Sequence, residues 1–123
     1  MQVVLPAKNR DLGDRTFDFA RNVRSFVRQV PRTIDLMEDC KQLVRSSGSV
    51  GANYIEANES LSRKDQIFRM RITKKEARES AYWLRLLNDR MEVSLRKVCV
   101  VLIDEAEQLV RIFNAIVIKS NSG

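Results

Sequence analysis

The residues best suited to chemistry in this sequence are cations and carboxylates, because the 123-residue chain contains no histidine. Without imidazole, the chain has no histidine general base, no Ser-His-Asp triad and no two-histidine metal motif. The two cysteines, Cys40 and Cys99, lie too far apart in sequence to form a metal-binding or redox motif. We expect both thiols to be small core residues in a reducing cytoplasm. The missing histidine and the cysteine spacing exclude histidine-based catalysis and zinc, iron–sulfur or thioredoxin-like sites, and we expect a protein without enzymatic activity, cofactor or bound metal.

The cations are concentrated in one segment of the chain. Residues 62–90 hold nine Lys or Arg against four Asp or Glu, whereas residues 33–61 hold two against five. On a helical wheel most of these cations fall within an arc of about 120° that also contains a tyrosine. Such a face can neutralise phosphates and stack a base, so it predicts a surface that binds nucleic acid. Its residues are Lys64, Arg71, Lys74, Lys75, Arg78, Tyr82 and Arg85.

The alternative interpretation of this basic face is a solvated surface that keeps a small protein soluble. The net charge of +6 and the isoelectric point of 9.7 favour binding, because the excess charge is concentrated on one helix. The sequence contains no apolar run close to the length of about 18 residues that a membrane helix needs, and its start lacks the features of a signal peptide. We therefore expect a cytoplasmic protein without a membrane partner.

Three glutamates, Glu56, Glu76 and Glu79, are the remaining candidates for chemistry. Glu76 and Glu79 project from the apolar side of their helical pattern, near Trp83. Helical bundles with two metal ions use Glu-x-x-His pairs, so only a magnesium site built from carboxylates is open to this chain. Pairing of these glutamates with arginine is the preferred interpretation. A metal-dependent enzyme is the least favoured function.

Four amphipathic helices are predicted to position these residues. Apolar spacing and capping residues place the helices at about 14–29, 34–61, 63–90 and 99–119, with flexible ends at 1–10 and 120–123. The predicted N-caps are Asp14, Thr33 and Ser62, the last forming a capping box with Asp65. No alternating strand pattern occurs, so the chain is predicted to be one all-α domain over residues 1–123, an up-and-down antiparallel four-helix bundle. The alternative is a three-helix core with a detached first helix.

Small residues interrupt the second predicted helix between Ser46 and Ala52. The run Gly48-Ser49-Val50-Gly51 has the letters of a nucleic-acid clamp loop, but it lies within a helical pattern and lacks flanking strands. Close approach of another backbone, within the bundle or from a second subunit, is the preferred explanation. Glu56 is expected to accept hydrogen bonds from Arg45 or from an arginine of a neighbouring subunit. The predicted oligomer interface consists of Gly48, Ser49, Asn53 and Glu56.

The segment Gln42–Ala57, QLVRSSGSVGANYIEA, resembles the second-helix signature of the 23S ribosomal RNA intervening-sequence protein family. That signature is an L-x-R-(S/A) run followed by Asn-Ile-Ala-Glu-Gly. This chain departs from it by an extra residue, Tyr54, between Asn and Ile, and by Asn58 in place of the closing Gly. The segments 62–68 and 77–87 are similar to the third helix of the family. The resemblance spans about residues 11–118.

The resemblance implies a four-helix bundle that assembles as a barrel-shaped homopentamer with a basic surface and a role with nucleic acid. The segment 77–87, ARESAYWLRLL, is also similar to a related branch, the accessory variability proteins of diversity-generating retroelements, which partner a reverse transcriptase. The leading hypothesis is a non-enzymatic, basic homo-oligomer that binds RNA or DNA, as an accessory to a reverse transcriptase or to a ribosomal RNA intervening element. The alternative is a structural adaptor whose basic face docks an acidic protein.

Overall fold

Four α-helices form the part of the chain that the structure, a computed structural model, describes, residues 11–122. They are α1 (Leu12–Val27), α2 (Ile34–Asn58), α3 (Arg63–Asn88) and α4 (Val93–Ser122). Helices α1 and α3 each pack against both α2 and α4. Because short connections join consecutive helices that pack together, neighbouring helices run antiparallel. The predicted four-helix bundle is confirmed, and the alternative of a detached first helix is wrong.

The helix ends differ from the prediction at α1 and α4. The N-cap of α1 is Asp11, whose Oδ1 accepts a 2.8 Å hydrogen bond from the backbone N–H of Asp14. Asp14 therefore lies in the first turn, where its charge favours the helix dipole. Helix α4 begins at Val93, one and a half turns before the predicted start, because Glu92 accepts a 3.1 Å bond from the N–H of Leu95. Glutamate is not among the preferred N-cap residues, so this start carried no recognisable signal.

The other predicted ends are closer to the structure. Thr33 precedes α2 as predicted, but its Oγ1 donates to Asp35 Oδ1 at 2.8 Å and caps no backbone N–H. Ser62 caps α3 by accepting a 3.1 Å bond from the N–H of Asp65. Residues 120–122, expected to be a flexible end, form the last turn of α4. The expectations for residues 1–10 and 123 lie outside the described residues.

The predicted apolar arcs meet in one core that runs the length of the bundle. Its largest fully buried side chains are Phe19, Phe26 and Phe113, each contributing about 1.5–3 kcal/mol through burial. Cys40 and Cys99 are buried free thiols, as predicted, and burial raises their pKa values to about 11 and about 12. Within residues 11–122, no helix is long and apolar enough to cross a membrane.

Candidate nucleic-acid interface

The predicted basic face is an exposed stripe along α3. Its buried side, which includes Ala77, Leu84 and Leu87, packs into the core, so the opposite arc points away from the bundle. Within the part of the chain that the structure describes, none of the exposed cations of this stripe is in an ion pair. Their charges are therefore available to an external anion. These exposed cations are Lys64, Arg71, Lys75, Arg78 and Arg85.

Lys74 differs from the other predicted cations. It is half-buried, and its Nζ donates a 3.2 Å hydrogen bond to Asn114 Oδ1 of α4. A phosphate at Lys74 would have to compete with this bond, so we expect a smaller contribution from Lys74 than from Lys75 or Arg78.

Tyr82 lies between Arg78 and Arg85, near the C-terminal end of the stripe, with 55% of its surface exposed. Its ring packs edge-on against Trp83, with ring centroids 5.0 Å apart and an interplanar angle of 78°. This contact restrains the tyrosine ring from one side. The exposed remainder of the ring is suited to stacking on a base.

Helix α4 adds two charged residues to this surface that the single-helix pattern did not predict. Glu107 and Arg111 line a cleft between α3 and α4 together with Arg78, Tyr82 and Arg85. Both are exposed, charged residues of α4, but only the rotation of α4 against α3 places them beside the stripe. The basic face thus gains a fourth arginine, Arg111, and the carboxylate of Glu107 in addition to the predicted residues.

The glycines of α2 are explained by packing within one chain. A Cβ at Gly51 would lie 3.1 Å from Thr16 Oγ1 of α1, and a Cβ at Gly48 would lie 3.3 Å from Arg24 Nη2. Glycine at position 51 therefore lets α1 approach α2 closely. Packing within the bundle, one of the two explanations expected from the sequence, therefore accounts for Gly51. The proposed role of Gly48 between subunits is not required to explain the residue.

Asn53 links α2 to α3 and also bonds Ser49 within its own helix. The Nδ2 of Asn53 donates to the carbonyl oxygen of Ser49 at 2.9 Å, and its Oδ1 accepts from Arg69 Nη1 of α3 at 3.3 Å. Next to Arg69, the side chain of Phe68 is 56% exposed. Among the predicted interface residues, Asn53 thus faces α3, Gly48 faces Arg24 of α1, and Glu56 is exposed.

The predicted contact between Arg45 and Glu56 is wrong. The two residues are separated by three helical turns, about 16 Å along α2. Arg45 instead pairs with α3, through Glu76 Oε2 at 3.5 Å and Glu79 Oε1 at 3.1 Å. The preferred interpretation of Glu76 and Glu79 as partners of arginine is therefore confirmed. Glu56 is exposed, and its pairing with a neighbouring subunit stays a prediction.

Comparison with known proteins places this bundle in a family. The profile of the 23S rRNA-intervening sequence proteins matches residues 8–115. The chain belongs to this family. It is also similar to a protein of unknown function from the S23 ribosomal protein family of Bacteroides thetaiotaomicron VPI-5482. That crystal structure has a TM-score of 0.74 at 29% sequence identity, covering 87% of this chain and 98% of the other. No curated protein matches the chain significantly.

The family resemblance seen in the sequence lies mainly in packing residues. In this member of the 23S rRNA-intervening sequence protein family, the segment Gln42–Ala57 lies entirely within α2. Its Gly51 contacts α1, and its buried Ser46 accepts a 3.0 Å hydrogen bond from Ser80 Oγ of α3. Side chains that hold helices together identify a fold, and they identify no reaction. Function must therefore be argued from the surface.

Proposed function

We propose that this protein is a non-enzymatic, basic homo-oligomer that binds RNA or DNA through the exposed stripe of α3. The observation that carries the proposal is the set of unpaired cations on that stripe, with exposed Tyr82 among them. Lysine and arginine side chains that neutralise phosphates release counterions and supply affinity without sequence preference. From Lys64 to Arg85 the stripe is about 32 Å long, enough to follow several successive phosphates of a strand.

Assembly would multiply this affinity. We propose that copies associate through the outer surface of α2 and α3, and the resemblance to the family supports a ring of five. Exposed Phe68, the sequence neighbour of Arg69 on α3, supplies apolar surface that association would bury. Each added subunit would bring another basic stripe to the same strand, which raises the effective concentration of binding sites.

We propose that the assembly works in the cytoplasm as an accessory to a larger nucleic-acid system. Membership of the 23S rRNA-intervening sequence protein family supports a ribosomal RNA element. The similarity of residues 77–87 to retroelement accessory proteins supports a reverse transcriptase as the partner. Two free, buried thiols are consistent with a reducing compartment.

Fluorescence anisotropy with labelled single-stranded RNA and DNA tests the binding proposal. The expected result is an affinity that falls steeply as the salt concentration rises. The logarithm of the binding constant should fall against the logarithm of the salt concentration with a slope of about −0.7 for each phosphate contact. Sedimentation velocity at micromolar protein tests the assembly, and a monomer would contradict it. Absence of binding at low salt would reject the nucleic-acid proposal and favour the adaptor hypothesis, in which the same face docks an acidic protein.

A further inference from the structure

The cleft between α3 and α4 has a concave volume and an apolar lining, and a surface that binds only phosphates requires neither. Its two sections have volumes of about 440 Å³ and about 420 Å³ and share Tyr82, Arg85 and Glu107. Clefts of about 300–1,000 Å³ are typical of sites for small ligands. The apolar part of the lining comes from Ile103 and Val110 of α4 and from Ala81 and Leu86 of α3. The space between the two helices is therefore of the right size for a single nucleotide unit.

Two carboxylates line this cleft, Asp89 at the end of α3 and Glu107 of α4, and Glu107 is the one that lines both sections. Arg78 and Arg85 lie on the α3 side, and Arg111 lies on the α4 side one turn beyond Glu107. Within residues 11–122, no hydrogen bond or ion pair engages the Glu107 carboxylate, although Glu–Arg at this helical spacing is a favourable pair. A site for phosphate alone would be weakened by this negative charge. The mixture favours a ligand that carries both an anion and hydrogen-bond donors.

We propose that the α3–α4 cleft holds one unpaired guanine base of the strand that α3 binds. The base stacks on Tyr82, its N1–H and N2 amino group donate to the Glu107 carboxylate, and its phosphate lies against the arginines. This inference rests on the proposed function, since it assigns a base to the surface proposed to bind nucleic acid. It adds sequence preference to an interaction that phosphate contacts alone leave unspecific.

The chemistry of a carboxylate selects guanine among the bases. An ionised glutamate only accepts hydrogen bonds, through two parallel oxygens. On its Watson–Crick edge guanine presents two adjacent donors, which match those oxygens. Adenine and cytosine present one amino group beside an acceptor nitrogen, and uracil presents one N–H between two carbonyl oxygens, so each leaves an acceptor facing the carboxylate. Recognition of splayed-out bases by stacking and by Watson–Crick edge contacts is the usual way that proteins read single strands.

Anisotropy titrations with a set of matched oligonucleotides test the proposal. The probes are labelled ten-nucleotide oligouridines that carry guanosine, inosine, adenosine or uridine at the central position. The guanosine probe is expected to bind about tenfold more tightly than the all-uridine probe, because a good bidentate base contact gives discrimination of this order. Inosine lacks the N2 amino group and is expected to fall between the two.

Two variants that each remove one negative charge distinguish recognition of guanosine from general electrostatic attraction. Glu107→Gln should abolish the preference for guanosine while leaving binding of the all-uridine probe equal or tighter, because it removes a negative charge from the cleft. Asp104→Asn is the control, since Asp104 is exposed on the same helix and bonds Gln108 Nε2 outside the cleft. It should keep the preference. Circular dichroism confirms that both variants remain helical.

The outcomes distinguish this inference from the proposed function. Equal affinities for all four probes, with binding that still weakens in salt, would overturn the guanine site and leave the basic stripe as the binding surface. A guanosine preference that survives Glu107→Gln would also overturn the site, because the base would be read elsewhere. No binding to any probe at low salt would overturn both proposals.

Discussion

The Arg15 guanidinium of α1 holds the Glu105 carboxylate of α4 in two parallel hydrogen bonds of 2.8 Å each. A third bond, of 2.7 Å, runs from Arg15 Nη2 to Gln108 Oε1. Both charged side chains are largely buried, and the hydrogen bond to Glu105 is the main cause that raises the pKa of Arg15. This ion pair fixes α1 against α4, at a point where the apolar contact between the two helices is limited.

Removing one partner of this pair should destabilise the bundle. Arg15→Ala leaves the buried Glu105 charge unpaired, and we expect a loss of about 2–4 kcal/mol in the free energy of unfolding, measured by urea denaturation. Arg90→Ala is the control, since Arg90 pairs with the exposed Asp35 and such surface pairs contribute little. Equal effects of the two changes would contradict the structural role of Arg15.

A large side chain at position 51 should separate α1 from α2. Gly51→Leu is expected to lower the free energy of unfolding by about 1–3 kcal/mol, because the Cβ alone would already lie 3.1 Å from Thr16. Gly48→Ala should instead be neutral or stabilising by up to about 1 kcal/mol, since its Cβ meets only the flexible end of Arg24 and alanine favours the helix. Thermal unfolding measures the stability change of each variant. Sedimentation velocity should show that the mass of the assembly is unchanged. A dissociated assembly would instead place Gly51 between subunits.

Charge removal from the stripe should flatten the salt dependence of nucleic-acid binding. The triple replacement of Lys74, Lys75 and Arg78 by Gln is expected to reduce the log–log slope by about 2, or somewhat less because Lys74 is bonded to Asn114. A variant with the same charge loss elsewhere, Lys41→Gln with Lys97→Gln and Lys119→Gln, is the control and should keep the slope. An unaltered affinity in the stripe variant would exclude α3 as the binding surface.

Tyr82 should contribute to affinity without changing the salt slope. Tyr82→Ala is expected to weaken single-strand binding by about 1–3 kcal/mol, because it removes a stacking platform and no charge. Tyr82→Phe keeps the ring and should bind almost as the parent protein does. Anisotropy at several salt concentrations measures both quantities, and a change of slope in Tyr82→Ala would argue against stacking.

The buried thiol of Cys99 should weaken the fold in alkaline solution. Its pKa is about 12 in the folded chain, whereas the pKa of a cysteine in an unfolded chain is about 8.5. Below the pKa of the unfolded chain, the thiol keeps its proton in both the folded and the unfolded state. Between the two pKa values only the unfolded state ionises, so the free energy of unfolding falls by up to about 1.4 kcal/mol per pH unit. Cys99→Ala should show a shallower decline between pH 9 and 11 in urea denaturation. Identical slopes would mean that the thiol does not titrate in this way.

Local patterns in the sequence predicted the four helices and the buried side of each, with the start of α4 as the exception. Apolar spacing and the cap at Ser62 are local signals, because they depend on residues within one or two turns of the same helix. Phe19 and Phe113 therefore lie in the core where the pattern placed them. The signature around Gly48 and Asn53 indicated the family for the same reason, since it lies within one helix.

Only the tertiary structure decided which residues of different helices meet. The rotation of each helix about its axis and its shift along the bundle depend on the whole core, which no single helical pattern contains. This is why the pairing of Arg45 with Glu76 and Glu79 of α3 could not be read from the pattern of α2. The predicted contact of Arg45 with Glu56 fails for a simpler reason, since the two residues are three turns apart on the same helix. The same dependence on the whole core is why Glu107, which has no motif around it, lies among the arginines of the α3–α4 cleft.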